Sequence, residues 1–172
     1  MNKAAATVLL ASGLASAKVQ EIDVFNPMNF ANVDVAKTLI QSVSNPVNAG
    51  TGTVTWGTCP QDFENFNFDE SSSTYTPNPI TKGSDLVFNI AGFVTEKLDQ
   101  SKVNIDVKWN GTKLYNHDFV EDLSFDSSYE YSLSFKVPSF APSGQYDVVI
   151  SSQGKSASGS GKAVCVTAQM QL

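Results

Sequence analysis

The sequence is poor in the residues that carry chemistry. It holds one histidine and two cysteines. No Gly-x-Ser-x-Gly nucleophile turn, no His or Cys cluster at metal-ligand spacing and no phosphate-binding loop occurs in it. His117 stands beside Asp118, but neighbours on a strand point to opposite faces, so the two cannot couple directly. A solvated histidine is the simpler reading. The carboxylates Glu64, Asp69, Glu70, Glu121, Asp122 and Asp126 lie in two short stretches. A glycosidase needs two that face each other across a cleft, and solvated turns account for these more simply. The residues predict a non-enzyme with no cofactor and no metal site.

Positive charge is also scarce. The formal net charge is -6 and the pI about 4.6, with no basic run. Nucleic acid, whose phosphates demand clustered cations, is excluded as a partner, and an anionic membrane surface would add little. Long apolar runs are missing too. Ala4–Leu14 is far shorter than the roughly 20 residues a membrane span needs. It follows Lys3 and precedes Ala15-Ser16-Ala17, so residues 1–17 read as a secretory signal peptide cut after Ala17.

That address sends the chain into an oxidising compartment, where Cys59 and Cys165 are expected to pair. The bond would staple the first segment of the patterned region to its last. It would remove on the order of 4–5 kcal/mol of unfolded-state entropy. The alternative is two free buried thiols. Asn110-Gly111-Thr112 is a glycosylation sequon in a turn, which marks Asn110 as a candidate glycan site.

Residues 18–53 read as a leader. Asn32 can cap a helix, and Val33, Ala36, Ile40 and Val43 fall at helical spacing until Asn45-Pro46. Such a short amphipathic helix is marginal alone. It would cover a core edge, lid an opening or be removed. A flexible Gly/Thr/Asn linker follows, up to Thr53.

From residue 54 to 172 the pattern is strand after strand. Phe66 and Phe68 share a side. In Tyr75–Val94, Pro77 and Pro79 fix extended backbone, Lys82-Gly83 turns, and Leu86, Phe88 and Ile90 then line one face. Val103, Ile105, Val107 and Trp109 alternate with polar residues, and Asn110-Gly111 is the strongest hairpin signal in the chain. Tyr129, Tyr131, Leu133, Phe135 and Val137 alternate across the next strand. Pro142–Gly144 turns into Tyr146, Val148 and Ile150. A Ser/Gly/Lys loop is expected over Ser151–Gly161, before a last strand over residues 162–172. One apolar and one wet face per strand, with no helix between strands, predicts an all-β fold. It is an immunoglobulin-like β-sandwich of two antiparallel sheets. The immunoglobulin signature itself is absent, since Ala163 stands where a Tyr would precede the second cysteine.

This order of features resembles the ML lipid-recognition family. That family includes the lysosomal cholesterol carrier of one Niemann-Pick disease and fungal phosphatidylglycerol/phosphatidylinositol transfer proteins. The resemblance covers about Trp56 to Leu172. A Cys opens the domain at Cys59, and "PNPITKGSDLVFNI" resembles the family's Pro-rich turn, Lys-Gly and alternating strand. "VPSFAPSGQYDVVI" resembles the segment that enters the penultimate strand, and Cys165 closes the last. Many members carry three disulfides. The short-range pairs have no counterpart here, since no Cys lies near Pro77–Pro79 or between His117 and Tyr129.

The resemblance implies two sheets that splay apart around an apolar cavity for a sterol or phospholipid. Leu86, Phe88 and Ile90 align with pocket-facing positions, and Tyr146 and Val148 lie on the penultimate strand. Val166 falls where the cholesterol carrier has an aromatic. The remaining inward positions, Val103, Ile105, Val107, Tyr131, Leu133, Phe135, Ile150 and Val164, would complete the lining. Phe119, Phe140 and Pro142 would form an apolar rim. The implied protein is a monomer, secreted or in the lumen of a lysosome or vacuole. It hands its lipid on through transient contact with a membrane or an acceptor protein. Pattern alone favours a second reading: an adhesion or recognition sandwich whose facing side chains fill its core.

Overall fold

The computed structural model describes residues 52–172 in full and Gln20–Ile22 by their backbone. The signal segment, the amphipathic helix and most of the linker read from the sequence lie outside the described residues. Among the described residues are ten strands: β1 (Gln20–Ile22), β2 (Val54–Thr58), β3 (Phe66–Phe68), β4 (Thr74–Thr76), β5 (Asp85–Val94), β6 (Leu98–Trp109), β7 (Thr112–Phe125), β8 (Ser128–Lys136), β9 (Gln145–Lys155) and β10 (Ser160–Gln171). No helix occurs among the described residues.

The strands form two five-stranded sheets. One runs β1-β8-β5-β3, with β4 also on β5, and the other runs β2-β10-β9-β6-β7. Both are antiparallel except for β1, which joins β8 in parallel with Gln20 opposite Leu133 and Ile22 opposite Phe135. The leader therefore contributes an edge strand, although its sequence placed it outside the sandwich. Its three residues carry no period that would have announced a strand.

Alternation drives the assembly. In β5, Leu86, Phe88, Ile90 and Val94 are buried while Asp85, Asn89 and Phe93 are exposed. The hairpin at Asn110-Gly111 closes with Trp109 opposite Thr112, and both turn residues have positive φ, 46° and 80°. Asn and Gly tolerate that region, which is why this dipeptide makes the turn. The 77 and 79 X-Pro bonds are both cis.

Two boundaries differ from the pattern. β7 continues to Phe125, so Glu121 and Asp122 lie on a strand rather than in a turn. The expected Ser151–Gly161 loop shrinks to residues 156–159, because β9 and β10 pair from Ser160–Lys155 onward. Small and polar side chains hid both ladders from a hydrophobic period.

The sandwich has two ends. At one, Cys59 and Cys165 form the expected disulfide, 106 residues apart in the chain. The same end is stitched by the backbone N–H of Lys162 donating to Asp62 at 2.7 Å and that of Thr95 donating to the Asn65 carbonyl at 2.9 Å. The N–H of Val94 donates to the Ser127 carbonyl there at 3.0 Å. At the other end, Gly144 and Leu172 exchange backbone hydrogen bonds of 2.9 and 3.1 Å, and Gly83 donates to the Val137 carbonyl at 2.8 Å.

Candidate functional site

The residues expected to line a pocket all face the space between the sheets. Leu86, Phe88 and Ile90 on β5 and Tyr131, Leu133 and Phe135 on β8 come from one sheet. Val103, Ile105 and Val107 on β6, Tyr146, Val148 and Ile150 on β9, and Val164 and Val166 on β10 come from the other. Every one is buried. The register explains the set: Ile105 sits opposite Ile150, and Val166 opposite Ile150 from the far side, so one inner row crosses β6, β9 and β10. In the facing sheet Phe88 sits opposite Leu133, and Leu86 opposite Phe135.

The space is spanned by rings near its middle. Trp56 of β2 meets Phe88 edge-on at 5.3 Å, and Phe88 meets Phe135 at 5.4 Å. Such edge-to-face contacts are the favoured aromatic geometry. Toward the disulfide end Tyr129 packs between Phe66 at 5.0 Å and Phe125 at 4.4 Å. Trp56 and Tyr129 were not among the expected lining residues. Tyr129 lay in the alternating run, and Trp56 begins the segment that the resemblance covers.

Polar groups intrude on this apolar interior. The Tyr129 hydroxyl donates to Gln100 Oε1 at 3.2 Å, bridging the two sheets. Burial, and then Tyr131 and Glu121, push the Tyr129 phenol well above its ordinary value of 10.0. Burial first, and the nearby Glu121 carboxylate second, also push the Tyr131 phenol up. Tyr146 is raised by burial alone, and its hydroxyl donates to the Pro142 carbonyl at 2.9 Å. All three phenols are neutral at physiological pH.

The rim residues do not gather at one mouth. Phe119 is half-buried on the edge strand β7, opposite Val103, next to His117 at 4.8 Å between ring centres. Phe140 is exposed in the loop at the far end from the disulfide. Pro142 is buried in that loop and offers no surface, because its carbonyl anchors Tyr146. Beside Phe119, Val120 is almost fully solvent-facing, at 90%. His117 is exposed on the inner side of β7, while Asp118 points away and pairs with Lys102 at 3.0 Å. Strand geometry puts the two side chains on opposite faces, and the Asp118 carboxyl is lowered from its ordinary value chiefly by Asn104 and Lys102.

A groove of about 560 Å³ opens at the β2–β3 edge, lined by Thr58, Cys59, Pro60, Gln61, Glu64, Phe66, Asn67, Phe68 and Glu70. It brings two of the sequence's carboxylates, Glu64 and Glu70, to one concave surface. Both are exposed. Among the described residues no group of three or more His, Cys, Asp or Glu is placed to hold a metal ion. No helix among them is long and apolar enough to cross a membrane. Asn110 is exposed at its turn, with its Oδ1 accepting from the Gln145 N–H at 3.0 Å.

Comparison with known proteins gives the family. A protein from Archaeoglobus fulgidus has a solved structure similar to this one, with a TM-score of 0.38 and 11% identity over 72% of this chain and 95% of that one. Chicken MD-1 complexed with lipid IVa gives a TM-score of 0.34 and 12% identity over 73% and 94%. A Niemann-Pick type C2 protein from the Japanese carpenter ant gives 0.36 and 11% over 73% and 95%. Likenesses this distant add no weight to the assignment. Among curated proteins, none matches this chain. The family model does: the ML domain matches residues 53–172, the described sandwich from β2 to its last residue. This chain belongs to the ML domain family, whose members are lipid-binding proteins.

Proposed function

We propose that this chain is a secreted or lumenal carrier that holds one sterol or phospholipid molecule between its two sheets and transfers it. The observation that carries the reading is the continuous apolar lining. The facing residues of β5, β6, β8, β9 and β10 are buried and almost free of charge. Burying a lipid chain there gains about 0.8 kcal/mol per CH₂, so no charged clamp and no catalyst is required. Family membership supports the lipid. The disulfide fits an oxidising compartment. Phe119 with Val120 on the edge strand, and Phe140 on its loop, are apolar surfaces suited to brief contact with a bilayer or an acceptor protein. The carrier works as a monomer, without a cofactor and without catalysing a reaction.

The test is native mass spectrometry of the secreted protein, followed by organic extraction. The expected result is a one-to-one adduct that extracts as lipid. A bare protein mass, with no uptake of cholesterol or phosphatidylglycerol on incubation, would overturn the carrier reading. The facing rings would then be the core of a recognition sandwich.

A further inference from the structure

The groove at the β2–β3 edge lies outside the space between the sheets, and its charge is unbalanced. Between Val54 and Thr81 the acidic residues are Asp62, Glu64, Asp69 and Glu70; no lysine falls in that stretch, and the chain has no arginine. Two of these carboxylates are used by the fold. Asp62 accepts from the Lys162 backbone N–H. Asp69 accepts from the Ser71 hydroxyl at 2.6 Å and from the Ser72 N–H at 3.2 Å. The carboxylates of Glu64 and Glu70 enter no hydrogen bond and no ion pair among the described residues. These two unused acids are the ones that line the groove.

The walls are apolar, and an apolar surface adjoins them. Phe66 is buried and Phe68 half-buried, with Phe68 backed by Trp56 at 6.0 Å between ring centres. Asn67 lines the groove and sits opposite Phe93 of β5. Both side chains are exposed, so they stand side by side on the outer face of the sheet. Phe93 is 57% exposed, one of three large hydrophobic side chains left in solvent among the described residues. Apolar surface held open beside a concave site marks a place where another molecule settles.

Charge and shape together select the occupant. Two unpaired carboxylates repel an anion or an anionic bilayer and attract a cation. Apolar walls favour a cation carried on an aliphatic stem. Lysine is such a group, an ammonium at the end of a four-carbon chain. Covering Phe93 as well takes an apolar neighbour beside that lysine, which a polypeptide supplies and a lone amine does not.

We infer that the β2–β3 groove docks a partner protein through an exposed segment in which lysine alternates with apolar residues. The ammonium meets Glu64 and Glu70, and an apolar neighbour covers Phe93. The surface is separate from the lining of the sandwich, so the inference stands or falls independently of the lipid reading.

The test is a nuclear magnetic resonance titration of the full, isotopically labelled chain at low salt, where charge attraction is least screened. The probes are acetyl-Leu-Lys-Leu-Lys-amide and its uncharged counterpart acetyl-Leu-Gln-Leu-Gln-amide. The lysine peptide is expected to shift the amides of Glu64–Glu70 and Phe93, and to bind about tenfold more tightly than the glutamine peptide. Glu64→Gln combined with Glu70→Gln should remove that preference. Phe93→Ser should weaken both peptides about threefold. All three side chains are exposed, so neither variant disturbs the core. Equal affinity for the two peptides, shifts confined to other strands, or no shift at millimolar peptide would each overturn the inference. So would a wild type that sediments with phosphatidylcholine vesicles through Glu64 and Glu70, since the groove would then hold a lipid headgroup instead of a protein.

Discussion

The two halves of the interior are built on different terms. Toward the loop that holds Phe140, rings and aliphatic chains meet without an unpaired polar atom. Phe88 touches Trp56 and Phe135, and the buried hydroxyl of Tyr146 there is answered by the Pro142 carbonyl. Toward the disulfide a covalent tie is added, yet Gln100 and Ser152 stay unanswered. The half with the covalent tie is the half that tolerates polar imperfection.

The comparison predicts unequal costs. Replacing Phe88 by Ala should destabilise most, by about 3–5 kcal/mol, because a fully buried ring in contact with two others leaves a cavity. Chemical denaturation followed by tryptophan fluorescence would read it directly through Trp56. A loss below about 1 kcal/mol would mean that this half is already loose. Ser152→Ala should act in the opposite direction on the unliganded protein, raising stability by about 1 kcal/mol as an unpaired buried hydroxyl disappears. A fall of similar size would show that the hydroxyl has a partner in solution.

The smallest effect concerns the outside of the disulfide end. Glu96 accepts from the Ser156 hydroxyl at 2.7 Å and from the Ser158 N–H at 2.9 Å, and those serine contacts lower its pKa from the ordinary 4.5. A carboxylate lowered in the fold stabilises above its ordinary value, and that contribution fades as pH falls below 4.5 through the folded value. Glu96→Gln should remove that small contribution at neutral pH, flatten the acid limb of the stability curve and leave stability in strong acid almost unchanged. A curve of unaltered steepness would show the contacts to be energetically silent.

Strict alternation made most of the buried inner faces legible. Val103, Ile105 and Val107 faced inward as their period demanded, and the same holds for β5 and β8. The period fails at the most interesting point. Carried back from Val103, it puts Ser101 inside and Gln100 outside. A register shift between Gln100 and Lys102 breaks the phase and turns Gln100 and Leu98 inward instead. A bulge depends on pairing with β7 and β9, which no local pattern encodes. The extension of β7 through Glu121 escaped for a related reason: charged residues on an edge strand look like a turn. Ser152 gave no signal, since a serine in a polar run is unremarkable until its neighbours Val103 and Val164 fix its side.

The parallel strand β1 carries a consequence for anyone handling this protein. Opposite Leu133–Phe135, the outer edge of β8 is covered by the backbone of Gln20–Ile22. Uncovered strand edges recruit other strands, and proteins blunt them to avoid fibrils and clumping. A shortened version begun at the ML domain boundary would bare that edge and invite it to stick to its own copies. Expression should therefore retain Gln20–Ile22, with any affinity tag placed beyond Leu172.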